Sequence, residues 1–331
     1  MRITNSMMTN GFMRNLNRNL TNFNRLNEQL TSGKEISKPS DNPFKVARSM
    51  QLHSDIQANE QYNTNIVDTI NHLETTDTAL EQFTNVMQRV RELTVSAGNA
   101  AYGSDERSAI KDEINEKVSE MAQILNTSFD GKYVFGGTKT STKPLVDRVN
   151  PETGNKELFY ADKEGNPIDV NSQDQDMINQ FGMIDSKLTV EISQGVHVDY
   201  NVNASEVLEF KDSEGNSKSI MSLFNDIITN LDSDKTEDTS KLTGENLQGL
   251  DDVITNLLSV RAEVGAMQNR MDSAKTQNED ENFNMTQILS QNEDIDFAEK
   301  TMEVTVAQTV YTAALQTSAK IMQPTLMDYL R

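Results

Sequence analysis

The chain has no cysteine, no tryptophan, only three histidines and 6% aromatic residues. Lack of cysteine removes disulfides, thiolate nucleophiles and zinc–thiolate centres together, though it does not by itself choose a compartment. His53 and His72 fall on one predicted helix about five turns apart, too far to share a metal. The third, His197, stands alone, and no His-Glu-x-x-His pattern is present. Equally missing are a Gly-x-Ser-x-Gly elbow and a glycine-rich loop ahead of Lys-Ser or Lys-Thr; Phe135-Gly136-Gly137 is too short to cradle phosphate. Acidic pairs are abundant but read as a solvated face rather than a catalytic dyad. No apolar run approaches a membrane span, and Arg14, Arg18 and Arg25 break up the start of the chain, so neither membrane insertion nor a cleaved signal peptide is expected. Catalytic, cofactor and metal residues are expected to be absent, and the chain is not expected to be an enzyme.

What the chain has in excess is acid: 331 residues carry a net charge of −21. A phosphate-binding surface needs clustered Lys and Arg, so a nucleic-acid partner is not expected. The charge is uneven. Residues 1–48 hold eight basic side chains against Glu28, Glu35 and Asp41, which leaves the remainder at −26. Those basic residues stand singly among Asn and Leu, unlike a nucleic-acid-binding arm.

Phe12, Leu16, Leu20, Phe23, Leu26 and Leu30 step by three or four and predict an amphipathic helix. Its filler is poor, since eight of the first 27 residues are Asn, which competes for backbone hydrogen bonds. Gly33 and Ser37-Lys38-Pro39-Ser40-Asp41-Asn42-Pro43 end it, with Asn42 as N-cap and Pro43 at the first position of a long helix reaching about Ser96. Ile66, Ile70, Leu73, Leu80, Phe83, Met87 and Val90 mark its face, interrupted by Asp77. Ser104 is expected to cap a further helix with the stripe Ile110, Ile114, Val118, Met121 and Leu125.

From Lys132 the period changes to two. Leu188, Val190 and Ile192 alternate, Gln194-Gly195 turns, and Val196, Val198, Tyr200 and Val202 alternate back, which predicts a hairpin. Asp162-Lys163-Glu164-Gly165-Asn166 and Asp212-Ser213-Glu214-Gly215-Asn216 are near copies and read as turns with Gly at positive φ; neither has the ligand spacing of a calcium loop. Helical pattern returns at Ile220–Leu231 and, after an acidic stretch, from Asn246 onward.

The last helix, Ile295 to Gln323, carries a stripe of Ile295, Ala298, Met302, Val306, Val310, Ala313, Thr317 and Ile321. From Val304 onward only Lys320, Asp328 and Arg331 are charged. A helix so poor in charge is buried over most of its circumference, which implies cover from other chains. Pro324 puts regular helix beyond it in doubt.

The fold class expected is mainly α: a long antiparallel helical, coiled-coil-like bundle formed by both chain ends, with a β-rich domain inserted in the middle. The expected divisions are 1–42 (assembly helix and linker), 43–131 and 219–294 (halves of the bundle), 132–218 (β-rich insert, independently cored and dispensable for joining) and 295–331 (assembly helix). The residues expected to form the assembly interface are Phe12, Leu16, Phe23, Leu26, Leu30, Ile295, Met302, Val306, Val310 and Ile321. An isolated pair of end helices buries too little to offset ordering entropy, so residues 1 to about 30 and about 295 to 331 are expected to be largely disordered in the free subunit.

Two motifs resemble the flagellin superfamily: Gln29-Leu30-Thr31-Ser32-Gly33-Lys34-Glu35-Ile36 with Pro39-Ser40-Asp41-Asn42-Pro43, and Arg261-Ala262-Glu263-Val264-Gly265-Ala266-Met267-Gln268-Asn269-Arg270-Met271. Four more are similar to its hook–filament junction family: Met1-Arg2-Ile3-Thr4-Asn5, Thr75-Thr76-Asp77-Thr78-Ala79-Leu80, Tyr133-Val134-Phe135-Gly136-Gly137-Thr138-Lys139-Thr140, and Leu315-Gln316-Thr317-Ser318-Ala319-Lys320-Ile321 with Asp328-Tyr329-Leu330. The resemblance implies a structural protein of the bacterial flagellum, exported through the flagellar channel by type III secretion and located outside the cell. It implies a ring of copies of itself, a hook-side junction protein, flagellin on the filament side and a cytoplasmic export chaperone as partners. The terminal helices would form the innermost shell. A filament-forming flagellin is the alternative.

Overall fold

The structure is a computed structural model and describes residues 5–98, 103–151, 153–169, 174–212, 215–232 and 240–321. In chain order the helices are α1 (Asn5–Ser32), α2 (Pro43–Ala97), α3 (Ser104–Leu125), α4 (Gln175–Ile184), α5 (Ala204–Leu208), α6 (Ile220–Asp232), α7 (Leu247–Glu293, entered through a π-helical turn at Leu242–Asn246) and α8 (Phe297–Ile321). The strands are β1 (Ser128–Phe129), β2 (Lys132–Tyr133), β3 (Leu145–Val149), β4 (Lys156–Tyr160), β5 (Thr189–Ser193), β6 (Val196–Asp199), β7 (Glu209–Lys211) and β8 (Ser217–Ser219). Among the described residues each strand pairs only with its neighbour in sequence, giving four antiparallel hairpins. The chain divides into two compact units, residues 1–60 with 280–331, and residues 61–279.

In the unit of residues 61–279, α2 buries Ile66, Leu73, Leu80, Phe83, Met87 and Val90, and α3 buries Ile114, Val118, Met121 and Leu125, the stripes expected from their spacing. From α7 come Leu250, Val253, Leu257, Val264 and Met271. Asp77, the polar break in the α2 face, takes both arms of Arg261 at 2.9 and 3.3 Å. Two of the sequence motifs therefore meet across α2 and α7. A planar guanidinium suits this paired carboxylate geometry better than an ammonium would.

Two expectations are corrected here. The segment 132–218 has no core of its own: Val134, Phe135, Leu145, Leu158, Tyr160, Val198, Val207 and Phe210 join α2, α3, α6 and α7 in one cluster. Its hairpins are too short to bury two faces, so they lean on the helices, and its removal would uncover the bundle. The Asn126 side chain strengthens the join by exchanging two hydrogen bonds with the Leu145 backbone, at 2.9 and 3.2 Å. Second, α3 is capped by Gly103, not Ser104; the Glu106 carboxylate accepts the Gly103 N–H at 2.9 Å, and Ser104 is the first helical residue. The other N-cap holds, with Lys45 N–H donating to Asn42 Oδ1 at 3.2 Å.

The β5–β6 hairpin turns at Gly195 (φ 74°) with a bulge between Glu191 and Ser193. The first acidic repeat is a turn, where Asp162 Oδ1 accepts from Glu164 N–H and Asn166 N–H and Gly165 has φ 83°; in the second, whose Ser213 and Glu214 lie outside the described residues, Asp212 Oδ1 accepts from Asn216 N–H and Gly215 has φ 86°. The Tyr133–Thr140 motif owes its glycines to close packing. Gly137 has φ 56°, and a Cβ there would lie 2.5 Å from the Ile184 carbonyl oxygen. Lys139, buried beside it, donates to the carbonyls of Ala161 (2.5 Å), Asp162 (3.0 Å) and Lys143 (3.3 Å), and burial holds its pKa below the usual lysine value. Gly137→Ala is expected to destabilise by more than about 2 kcal/mol, from left-handed backbone strain plus backbone collision. Gly182→Ala, in α4 with open space around it, should be neutral or stabilising by up to about 1 kcal/mol. Urea unfolding of the pair checks this; equal midpoints would refute it.

Candidate assembly surface

The unit of residues 1–60 and 280–331 is built on α1 and α8, which pack antiparallel: Phe23 stacks on Tyr311 with ring centroids 6.5 Å apart, while Gly33 lies against Phe297. On α1 the residues turned toward α8 are Phe12, Leu16, Asn19, Phe23, Leu26 and Leu30, steps of four and three throughout. The expected series placed Leu20 in this row; the structure puts Asn19 there and leaves Leu20 36% exposed. On α8 the inward row is Lys300, Val304, Ala307, Tyr311, Ala314 and Ser318, again at the period of a coiled-coil seam.

The contact is thin. Among the described residues of α1 only Leu26 and Gln29 are fully buried, and α8 buries none completely. The expectation of disordered ends meets a structure in which Asn5–Ser32 and Phe297–Ile321 are helical and paired within one chain; residues 1–4 and 322–331 lie outside the described residues.

The ten expected interface residues thus divide by direction. Phe12, Leu16, Phe23, Leu26 and Leu30 serve the pairing of α1 with α8. Ile295 lies in the turn before α8, 9% exposed. Met302, Val306 and Val310 lie outside the inward row and are 64%, 62% and 47% exposed. Ile321 closes α8 in backbone only; its side chain, like Pro324, lies outside the described residues. Phe297 and Leu315 form a second outward apolar edge that the original stripe missed. A half-heptad count for the inward row would have exposed both edges. Met302, Val306 and Val310 also wall a groove of about 490 Å³ whose floor is Leu26 and Ala307 and whose rim carries Arg25, Glu299 and Glu303.

A polar clasp fixes the ends of the pair. Asp296 caps α8, accepting from Ala298 N–H at 2.8 Å and Glu299 N–H at 3.2 Å. Gly33, at φ 72°, turns the chain so that its carbonyl accepts from Ile295 N–H at 3.1 Å and Glu35 N–H donates to the Glu293 carbonyl at 2.6 Å. Lys34 pairs with Glu293 (2.8 Å) and Asp294 (3.1 Å), while His53 Nε2 lies 3.2 Å from Glu293. Burial pushes the Glu293 carboxyl up, but hydrogen bonds from Lys34 and Ser49 outweigh it and hold the pKa below the usual value. The Ser32–Ile36 part of the first motif is therefore the half of the clasp that meets the turn between α7 and α8. Neither sequence spacing nor hydropathy pointed to Glu293 as its partner.

Residues 3–140 match the bacterial flagellin N-terminal helical region and residues 247–330 the bacterial flagellin C-terminal helical region. The chain belongs to the flagellin superfamily, in its hook–filament junction group. It is 25% identical to flagellar hook-associated protein 3 of Escherichia coli over 97% of this chain and 95% of that protein. It is also 26% identical to the flagellin of Bacillus subtilis over 92% of this chain and 91% of that protein. Its fold is similar to that of the flagellar junction protein of Legionella pneumophila, with a TM-score of 0.53 over 76% of this chain and 100% of that one at 15% identity.

Proposed function

We propose that this junction subunit joins hook to filament by stacking its α1–α8 pair against those of neighbouring copies, with Met302, Val306 and Val310 buried in the seam. The observation that carries this reading is the apolar face of α8, exposed in the single chain on a helix whose residues 304–319 carry no charge. An apolar stripe of this kind is stable in water only while it stays dilute or is covered. Copies of the chain form a ring, with the hook-side junction protein on one face and flagellin on the other. A cytoplasmic chaperone covers the last helix until export, and the protein works outside the cell in the flagellum. Its role is structural and not catalytic.

Filament-forming flagellin is the second reading, favoured by the near-equal identity to the Bacillus subtilis protein. Purified subunit at high concentration separates them. A junction protein stays in short assemblies and restores filaments to cells lacking it; long filaments grown from the subunit alone would overturn the junction reading.

A further inference from the structure

The chain has 16 methionines, and with no cysteine and no tryptophan its thioethers are the first side chains a peroxide meets. They are unevenly placed. Among the described residues the exposed ones are Met7, Met13, Met50 and Met302, all in the unit of residues 1–60 and 280–331, whereas Met87, Met121 and Met271 of the other unit are sealed in its core. Met302 is the one of these four that stands in the outward stripe of α8, between the groove floor at Leu26 and the neighbouring Val306. We propose that Met302 is an oxidation site whose conversion to the sulfoxide by hydrogen peroxide blocks incorporation of the free subunit, an inference that rests on the α8 seam.

The chemistry is balanced by the peroxide itself. The sulfur attacks one peroxide oxygen, an S–O bond forms as the O–O bond breaks, and after proton transfer water leaves; sulfur gives up two electrons and peroxide accepts them. The product replaces a flexible apolar side chain by a strongly polar one. In the free subunit the sulfoxide stays hydrated at little cost to the fold. In the seam it would be buried against apolar side chains, at a desolvation cost that the thioether does not carry. Assembly in turn shields the sulfur, so sensitivity belongs to subunits not yet joined.

The full-length chain is treated with hydrogen peroxide alone, mapped by peptide mass spectrometry and tested for joining. The expected result is that Met302 gains oxygen ahead of Met87, Met121 and Met271, that treated protein loses joining, and that methionine sulfoxide reductases restore it. Met302→Leu, nearly isosteric, is scored against its own untreated joining, and peroxide should not lower that value, although Met7, Met13 and Met50 are oxidised. Treated protein that joins normally with Met302 fully oxidised would overturn the inference, as would a Met302→Leu subunit that loses joining to peroxide as the parent does. An untreated Val306→Asp subunit reports on the seam alone: if it fails to join while peroxide-treated parent joins, only the oxidation inference falls.

Discussion

A Val306→Asp subunit is expected to fold and to melt with the parent chain, yet to leave hook and filament unjoined. Val306 is 62% exposed and lies outside the inward row of α8, so in the single chain a carboxylate there reaches water and removes little packing. Once a neighbour covers that face the same carboxylate is an unpaired buried charge, costing about 3–5 kcal/mol at each contact. Because every copy in a ring carries the change, the penalty repeats around it. Leu26→Asp is the informative contrast: Leu26 is buried between α1 and α8, so the change should break the helix pair itself and keep the α8 amides from gaining protection on assembly. Motility and electron microscopy of complemented cells read the joining, and thermal unfolding of purified subunit reads the fold. A Val306→Asp strain with filaments of normal number would refute the seam.

The second large effect is on pH and belongs to the other unit. His72 packs edge-on against Phe129 and Tyr200, with ring centroids 6.3 and 5.1 Å away. Burial lowers its pKa from the usual 6.5 to about 4. The folded chain therefore keeps this imidazole neutral where the unfolded chain takes up a proton, so stability is full above pH 6.5 and falls as the pH drops toward 4. Between pH 7 and pH 5 the loss from this one group is about 2 kcal/mol. Asp68, Asp130 and Lys132 border the same cavity, and burial is the influence that lowers the His72 pKa. Urea unfolding at the two pH values should show the loss in the parent and little of it in His72→Phe, which keeps the ring packing. The same loss in the variant would place the titrating group elsewhere.

Much of the helical plan was legible because each long helix repeats its apolar residues at one period. The α2 and α3 stripes, the Asn42 cap and the Gly195 hairpin all follow from local pattern. What local pattern could not give was direction. Leu20 and Asn19 are adjacent, and the choice between them depends on where α8 lies; likewise a helix apolar on nearly every side, such as α8, does not announce which side faces α1. The shared core was hidden for a related reason. Alternating strands suggest a sheet with its own interior, but Leu145, Leu158 and Phe210 sit on hairpins of two strands, and two strands cannot enclose anything. Long-range polar partners were invisible as well, since Lys34 and Glu293 are joined by no spacing rule.

The central claim is that the end helices depend on neighbouring copies for their stability. Ordering them costs about 1–2 kcal/mol per residue in backbone entropy, against a contact in which Leu26 and Gln29 alone are fully sealed among the described residues of α1. Amide hydrogen exchange, followed in the free subunit and in assembled flagella, measures this directly. The account predicts fast exchange at Val304 to Thr317 in the free subunit, strong protection at Ile66 to Val90 in both samples, and protection of the α8 amides only after assembly. Protection of Val304 to Thr317 in the free subunit equal to that of Ile66 to Val90 would contradict it.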